Sequence, residues 1–197
     1  MTRKPVLCIV AGPNGSGKTT TTELLLKNEW SSHCRYINPD NIAKETFGDW
    51  NSSGAVLKAA QFATRQRYEC LERKENFVFE TVFSSDEKIE FLRKAKAAGY
   101  FIRLFYVCTE SPLVNVNRVA VRYVNGGHEV PISKILSRYY LSLANLKVAF
   151  DIADRVYLYD NSIDNAQPRL VIRTSDGKIA KRYSEEIPRW VKSVLDL

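Results

Sequence analysis

The chain has 197 residues, of which 45% are hydrophobic and 26% charged, a composition typical of one soluble globular domain. Its formal net charge of +7, from 29 Lys and Arg against 22 Asp and Glu, favours acidic partners such as nucleotides, phosphosugars or nucleic acid. No apolar run approaches the ~18 residues that a membrane span requires, and 4 scattered cysteines without a C-x-x-C pair predict reduced thiols in a cytoplasmic protein rather than a zinc site.

The first half of the chain alternates apolar runs of strand length with segments of helical spacing. Residues 5–11 form a short β-branched run that leads directly into a glycine-rich loop, so they predict a strand rather than a signal peptide. Hydrophobic spacing then predicts helices over residues 18–30 and 54–75, and strands over residues 35–38 and 77–83.

The second half continues in the same way and then changes pattern. Three helices are predicted over residues 84–98, 111 to about 124, and from 131 onward, and two strands over residues 101–107 and 155–161. Beyond them, RLVIRT and KIAKRY are joined by a turn at Asp176 and Gly177 and predict a β-hairpin. Residues around Trp190 predict a closing amphipathic helix.

The order of these elements predicts the fold class. Strands that alternate with helices predict an α/β fold of three layers, in which a mainly parallel sheet is covered on both faces. The hairpin should extend one edge of that sheet. We expect a single domain over residues 1–197, with a core at about residues 5–165 and the C-terminal hairpin and helix at residues 168–197.

The stretch GPNGSGKT at residues 12–19 has the complete spacing G-x-x-x-x-G-K-[ST] between a predicted strand and a predicted helix. The N–H groups of such a loop, with the positive end of the helix, bind polyphosphate oxygens. We expect Lys18 to bridge the β- and γ-phosphates of ATP and the Thr19 hydroxyl to hold Mg²⁺. The competing interpretation is a glycine turn before an ordinary helix. The predicted nucleotide-binding residues of the loop are Gly12, Pro13, Asn14, Gly15, Ser16, Gly17, Lys18, Thr19 and Thr20.

Phosphoryl transfer to an alcohol also needs a base, and two carboxylates follow the neighbouring strands. Asp40 comes after the second predicted strand and Glu80 ends the third, so both should lie at the same edge of the sheet as the glycine loop. Asp40 is the candidate base, and its alternative role is to cap a helix before IAKET. Glu80 is a candidate for acceptor binding, because a buried acid needs a partner or a role. Its alternative is an indirect magnesium contact.

Three arginines are candidates for stabilising the transferred phosphate. Arg118 and Arg122 are four residues apart on one helical face, and a GGH segment follows, which is typical of a closing lid. We expect Arg138, on the next helix, to face them. The alternative for each arginine is a solvated surface charge. For His128 we expect a substrate-binding hydrogen bond from the lid or a surface position, because no carboxylate partner is visible.

Five segments together resemble the zeta toxin family of P-loop kinases, and especially its short stand-alone branch, often labelled predicted ATPases. They are the glycine loop, NPD, FETVFS, RVAVRYVNGGHEVP with SRYYLSLANL, and YDNS, and they span residues 5 to about 165. The glycine loop is shared with a vast class, whereas the order NPD, FET, GGH-x-VP and DNS is much more specific. The resemblance implies a P-loop nucleoside-kinase-like fold that uses ATP and Mg²⁺. Better-known members phosphorylate UDP-N-acetylglucosamine at the sugar 3′-hydroxyl.

The resemblance also implies roles for individual residues. On the donor side, Lys18 and Thr19 take the nucleotide and magnesium roles, and Asn161 and Ser162 are placed near the adenine. Asp40 is the catalytic base. The segments that shape the acceptor pocket and supply phosphate-binding arginines contain Glu80, Thr81, Arg118, Arg122 and Arg138.

The resemblance supports a kinase more strongly than it supports one acceptor, because the insertions that form much of the sugar-nucleotide pocket in the larger toxins have no counterpart here. The leading hypothesis is an ATP-dependent kinase for a sugar nucleotide or nucleoside-like acceptor. If the protein is a toxin, its antitoxin should be a separate chain.

Two alternatives remain open at this point. One is an ATPase or nucleotide switch acting through a protein partner, although LSGGQ and NKxD motifs are absent from the sequence. The other is a polynucleotide kinase. The basic stretch RQRYECLERKE interleaves its cations with acids, so a nucleic-acid partner is not expected. No membrane partner is expected either, because no apolar run is long enough to span a bilayer.

Overall fold

The computed structural model describes residues 4–27, 33–47, 52–127 and 129–197. Over these ranges it contains seven strands and seven helices. In chain order they are β1 (Val6–Ala11), α1 (Lys18–Leu26), β2 (Arg35–Ile37), α2 (Pro39–Thr46), α3 (Ser53–Arg73), β3 (Phe77–Thr81), α4 (Asp86–Ala97), β4 (Phe101–Cys108), α5 (Pro112–Val124), α6 (Ile132–Ala149), β5 (Arg155–Asp160), β6 (Arg169–Ser175), β7 (Lys178–Arg182) and α7 (Arg189–Leu195).

The strands form one sheet in the order β2-β3-β1-β4-β5-β6-β7. The first five strands of this order are parallel, and β6 and β7 are antiparallel, which confirms the predicted α/β fold and the hairpin at its edge. In the register of β1 with β3, Val10 is opposite Glu80 and Ala11 is opposite Thr81. The carboxyl ends of these two strands are therefore level, and the loops that follow them open at the same edge.

Helices cover both faces of the sheet, and successive residues of β1 show how the faces are divided. Leu7 and Ile9 belong to the larger buried cluster, which also contains residues of α3, α4, α6 and α7. Cys8 and Val10 belong to a smaller cluster with Leu25 of α1. Because neighbouring side chains of a strand point to opposite faces, the two clusters lie on opposite sides of the sheet.

Two local features differ from the sequence prediction, and a third prediction falls outside the described residues. Residues 39–46 form a separate helix that the apolar spacing did not predict. Its N-cap is Asn38, whose side chain accepts a hydrogen bond from the backbone N–H of Asp40, so the alternative role of Asp40 as the cap is wrong. The third strand ends at Thr81 rather than at the predicted Phe83, whose left-handed φ of 63° a strand does not accommodate. The predicted end of the first helix at Trp30 lies outside the described residues.

The C-terminal elements pack onto the parallel core. Trp190 of α7 lies against Tyr106 of β4, with ring centroids 5.9 Å apart. Its Nε1 donates a 3.0 Å hydrogen bond to the buried carboxylate of Asp160 at the end of β5. Within the described ranges, every helix is too short or too polar to cross a bilayer.

Candidate functional site

The loop between β1 and α1 has a positive φ, which favours glycine, at three positions that are all glycine. Gly12, Gly15 and Gly17 have φ values of 148°, 75° and 92°. A Cβ at Gly12 would lie 2.0 Å from the Val107 carbonyl oxygen, and one at Gly17 would lie 2.2 Å from Nδ2 of Asn161. The glycines therefore allow both the left-handed turns and the close approach of the loop to the ends of β4 and β5.

Polar groups of the loop point inward. Nζ of Lys18 folds back to donate a 2.9 Å hydrogen bond to the Pro13 carbonyl. The hydroxyl oxygen of Ser16 is buried and has no hydrogen-bond partner among the described residues. Because α1 begins directly after Gly17, which has no side chain to cap it, the first-turn N–H groups are available to a ligand. This is the donor arrangement that a polyphosphate requires.

Burial lowers the pKa of Lys18 to about 8. The charges of Glu80 and Asp40 raise this pKa, and the charge of Arg122 lowers it. Of these three effects, that of Glu80 is the largest and that of Asp40 the smallest. The ammonium group of Lys18 is therefore influenced by charged side chains from three other elements, which are β3, α5 and α2. An anion in the loop would restore its preference for the protonated form.

Glu80 is held by three side chains. Its Oε1 accepts a 2.5 Å hydrogen bond from the Tyr36 hydroxyl and a 3.4 Å bond from Nδ2 of Asn38. Its Oε2 accepts a 3.3 Å bond from the Thr19 hydroxyl. Burial, and then the Glu80 carboxylate, raise the pKa of Tyr36 well above its usual range, which keeps Tyr36 a donor. A hydroxyl and a carboxylate side by side are the oxygen ligands that Mg²⁺ prefers, so these residues fit that ion.

Asp40 lies in the first turn of α2 with its side chain exposed to a cleft. The cleft has a volume of about 830 Å³ and is also lined by Lys18, Thr19 and Glu80. The parallel sheet thus brings Asp40 and the glycine loop to one cavity, as the sequence predicted.

The three candidate arginines are divided between two places. Arg122 and Arg138 line the cleft, and Nη1 of Arg138 lies 3.5 Å from Oδ1 of Asn14. Arg118 lies outside the cleft lining. Its guanidinium group pairs with Asp164 at 2.7 Å and donates to the Asn161 carbonyl at 2.8 Å. Arg118 therefore holds the loop that follows β5.

The remaining candidates are placed as follows. Nδ2 of Asn161 donates to the Ser16 carbonyl at 2.8 Å, and the Ser162 hydroxyl donates to Asp160 at 2.7 Å. Thr81 lines the cleft and its hydroxyl accepts a hydrogen bond from the N–H of Phe83 at 3.1 Å. Thr20 lies on the exposed side of α1. His128 lies outside the described residues.

Sequence reasoning missed residues that support the site from behind. Asn115 of α5 is buried and donates a 2.6 Å hydrogen bond from Nδ2 to the Asn14 carbonyl, which braces the glycine loop. No local pattern distinguishes Asn115 from a surface residue. Asn38 and Pro39 carried a usable signal, because Asn followed by Pro is a common start of a helix.

The seven-stranded sheet and the glycine loop define the fold class of this protein as that of the P-loop kinases. The chain belongs to the zeta toxin family, whose sequence model matches residues 1–167. A curated protein of Haemophilus influenzae, of uncharacterised function, is 26% identical over 135 residues, which is 65% of this chain and 88% of that protein.

Two solved structures share the fold. A chain of the AvrRxo1-ORF1:-ORF2 complex with ATP is 16% identical, with a TM-score of 0.65 over 91% of this chain and 61% of that one. A chain of the PezAT toxin-antitoxin system of Streptococcus pneumoniae is 16% identical, with a TM-score of 0.64 over 99% of this chain and 84% of that one. Our chain thus spans only 61% of the AvrRxo1 chain it matches.

Proposed function

We propose that this protein is an ATP-dependent kinase that transfers the γ-phosphate of ATP to a hydroxyl group of a small acceptor. The observation that carries the proposal is that Lys18 of the phosphate loop and Asp40 of α2 line one cleft, in which the charge of Asp40 raises the pKa of Lys18. A phosphate donor site and a base on one cavity are the two requirements of phosphoryl transfer to an alcohol.

On the donor side, the N–H groups of residues 12–19 would hold the phosphates of ATP, and Lys18 would exchange its contact with Pro13 for the β- and γ-phosphates. Thr19 and Glu80 would hold Mg²⁺. The bound ion would neutralise part of the negative charge of the phosphates. Asn161 donates a hydrogen bond to the Ser16 carbonyl and would hold the glycine loop in place next to the adenine of ATP.

On the acceptor side, the carboxylate of Asp40 would accept the proton of the acceptor hydroxyl. The hydroxyl oxygen would then bond to the γ-phosphorus as the bond to the β-phosphate oxygen breaks and ADP leaves. Asp40 is suited to this because its side chain is exposed to the cleft rather than used as a cap. Thr81 would line the acceptor pocket, and acceptor binding is the alternative role of Glu80.

Arg122 and Arg138 would stabilise the charge that develops on the transferred phosphate, since both line the cleft beside the loop. Arg118 would act indirectly, by positioning the loop of residues 161–164. His128, which follows the two glycines of the α5–α6 connection, stays a candidate for acceptor contact.

A sugar nucleotide such as UDP-N-acetylglucosamine, or a nucleoside-like compound, is the acceptor class we propose, with the protein acting as the toxin of a toxin-antitoxin pair in the cytoplasm. Membership of the zeta toxin family supports this. So does the fold shared with a chain of the PezAT toxin-antitoxin system, and a separate antitoxin would be the protein partner.

The direct test is a mass-spectrometric search for phosphorylated products. The protein is incubated with Mg-ATP and a metabolite extract, and the Lys18→Ala variant provides the blank. We expect one metabolite to gain a single phosphate only with the unmodified protein. Steady ADP formation without any acceptor product would instead favour an ATPase.

The base is tested with Asp40→Asn. We expect transfer to fall by about 10²–10⁴-fold, the usual contribution of a general base, while nucleotide affinity stays within twofold or so. Glu45→Gln on the same helix is the matched control, because Glu45 is exposed and lies outside the cleft lining. Full transferase activity in Asp40→Asn would show that the base is another group.

A further inference from the structure

The two faces of the sheet differ in how far helices cover them. The larger buried cluster extends from β2 to β6 and contains residues of α3, α4, α6 and α7. On the opposite face, α1 is the only described helix that contributes to the smaller cluster. The outer strands β5, β6 and β7 are therefore not covered by a described helix on that face, where Tyr157 and Arg173 are partly exposed and Lys178 and Lys181 are exposed.

The register of these strands arranges side chains in rows on the open face, because directly opposed residues of neighbouring strands point to the same side. Tyr157 of β5, which packs against the smaller cluster, is opposite Arg173 of β6, and Arg173 is opposite Lys181 of β7. With strands roughly 4.8 Å apart, this row is about 10 Å long. The row next to it consists of Arg103, Arg155, Ser175 and Lys178. These two rows, together with Tyr159 and Tyr183, form the basic face.

The strands of the basic face supply cations without acids on the same side. Strands β4 to β7 contain a single acidic residue, Asp160, which is buried on the other side of the sheet against Trp190. Nε of Arg173 is buried and has no acceptor among the described residues. Four cations of the face make no ion pair with a described residue, namely Arg155, Arg173, Lys178 and Lys181. A surface of this kind attracts a polyanion, because clustered charges of one sign raise the local potential.

Tyrosine rings lie between these cations. The ring of Tyr157 stacks on that of Phe105, with centroids 4.7 Å apart and an angle of 10° between the ring planes. Burial, and then the neighbouring Tyr157 and Tyr183, raise the pKa of Tyr159, so the three tyrosines lie near one another. Nζ of Lys181 lies 4.8 Å from the centroid of the Tyr183 ring, and Tyr183 is 42% exposed. The bases of a single-stranded nucleic acid stack on such rings while neighbouring cations bind its phosphates.

We propose that the basic face binds single-stranded RNA, with the phosphates on the cations and the unpaired bases stacked on the tyrosine rings. RNA exposes unpaired bases in its loops and at its ends, whereas a duplex keeps its bases stacked on one another and would use the cations alone. An acidic protein segment would also leave the rings without a partner. The combination of rings and cations on one open surface therefore favours a single strand.

RNA binding at this face does not depend on the proposed kinase function. None of the residues of the basic face lines the cleft, so the RNA is a partner and not the phosphate acceptor. Much of the face, including Arg173, Lys181 and Tyr183, lies beyond residue 167, where the family match ends. Its cations are spread over residues 103–181 and only the register of the strands brings them together, which is why the sequence did not indicate a nucleic-acid partner.

The cations are tested by fluorescence anisotropy with a labelled single-stranded RNA of about 12 uridines. The protein is saturated with Mg²⁺ and a non-hydrolysable ATP analogue, so that the glycine loop is occupied. We expect Lys181→Met to weaken binding at least about threefold and to make the salt dependence less steep, because a phosphate contact is lost. Arg182→Met is the matched control, since Arg182 is also exposed but is opposite Ile172 of the larger cluster and so points to the other face. Absence of RNA binding, or an equal loss in both variants, would overturn the proposal.

The rings are tested with Tyr183→Leu, which keeps an apolar side chain but removes the stacking surface. We expect RNA binding to weaken about tenfold, whereas Tyr140→Leu, at a tyrosine of α6 that is 62% exposed, should leave it unchanged. A duplex of the same length should bind more weakly than the single strand. Duplex binding as tight as that of the single strand would show that only phosphates are bound, and would overturn the proposal. Displacement of the RNA by a polyglutamate peptide at equal charge concentration would also overturn it, in favour of an acidic protein partner.

Discussion

The Thr19 hydroxyl donates a hydrogen bond of 3.3 Å to Oε2 of Glu80, which joins the glycine loop to the end of β3. Tyr36 and Asn38 donate to the other carboxylate oxygen, so Oε2 is directed towards the loop. A carboxylate fixed in this way, beside a hydroxyl and the phosphates of a bound nucleotide, matches the oxygen environment of Mg²⁺.

Glu80→Gln should therefore raise the Mg²⁺ concentration needed for half-maximal activity, by about tenfold, because a neutral amide is a weaker ligand for the ion. Tyr36→Phe should shift it in the same direction by less, since it only loosens the carboxylate. Titration of activity with Mg²⁺ at saturating ATP measures both. If neither variant changes the Mg²⁺ requirement, Glu80 serves the acceptor rather than the metal.

Nucleotide affinity should depend on pH through Lys18. Its pKa is lowered to about 8 in the free protein, and bound phosphates should raise it. Protonated Lys18 is the binding form, so affinity should be level below about pH 7, begin to fall near pH 8, and fall by up to about tenfold per unit as the pH rises further. Calorimetry between pH 7 and about 9.5, in buffers of different ionisation enthalpy, should detect proton uptake. Lys18→Arg cannot titrate in this range, and its affinity should stay level. A level profile in the unmodified protein would contradict the assignment.

Gly17→Ala should disable the loop. Gly17 has a φ of 92°, and a Cβ there would lie 2.2 Å from Nδ2 of Asn161, which bonds to the Ser16 carbonyl. We expect a loss of about 1–3 kcal/mol in the free energy of unfolding and a large loss of ATP affinity. Gly54→Ala is the control, because Gly54 is helical and a Cβ there has nothing within 4 Å. It should be neutral or stabilising by up to about 1 kcal/mol. Equal ATP affinity in the two variants would contradict the close fit of the loop.

Arg118 and Arg138 should differ in the kinetic constant that they affect. Arg118 pairs with Asp164 and donates to the Asn161 carbonyl, so Arg118→Met should loosen the loop after β5 and raise the KM for ATP roughly tenfold, with little change in kcat. Arg138 lines the cleft, so Arg138→Met should lower kcat about 10²-fold. Steady-state kinetics with both substrates separates the two effects. A fall in kcat for Arg118→Met as large as that for Arg138→Met would place Arg118 at the phosphate after all.

The C-terminal elements should be needed for stability although the family match ends at residue 167. Trp190 donates to the buried carboxylate of Asp160, which also accepts from Ser162. Trp190→Phe keeps most of the apolar surface but removes that donor, and should lower the free energy of unfolding by about 1–3 kcal/mol. Urea denaturation measures the change. Tyr183→Phe, at an exposed residue after β7, should change it by less than about 0.5 kcal/mol. Equal stability in both variants would show that the hydrogen bond between Trp190 and Asp160 contributes little to stability.

The sequence by itself determined the features that depend on neighbouring residues. The glycine loop is one continuous segment, so its spacing predicts both its turns and its ligand. The alternation of strand and helix predicts a parallel sheet, and the parallel arrangement brings the ends of β1, β2 and β3 to one edge. The order of strands and helices is therefore sufficient to predict that Asp40 and Glu80 lie near Lys18.

Only the tertiary structure decided which partner each polar side chain takes. Helical spacing put Arg118 and Arg122 on one face, but the position of the loop after β5 ties Arg118 to Asp164, 46 residues away. In the same way, the stacking of Arg67 on Phe79 and its proximity to Lys88 arise where α3 and α4 pack beside β3. Such contacts join residues that are distant in the sequence, and they depend on how the elements pack and on the register of the strands. Local periodicity predicts which face of a helix or strand a residue lies on, but it does not predict which other element packs against that face.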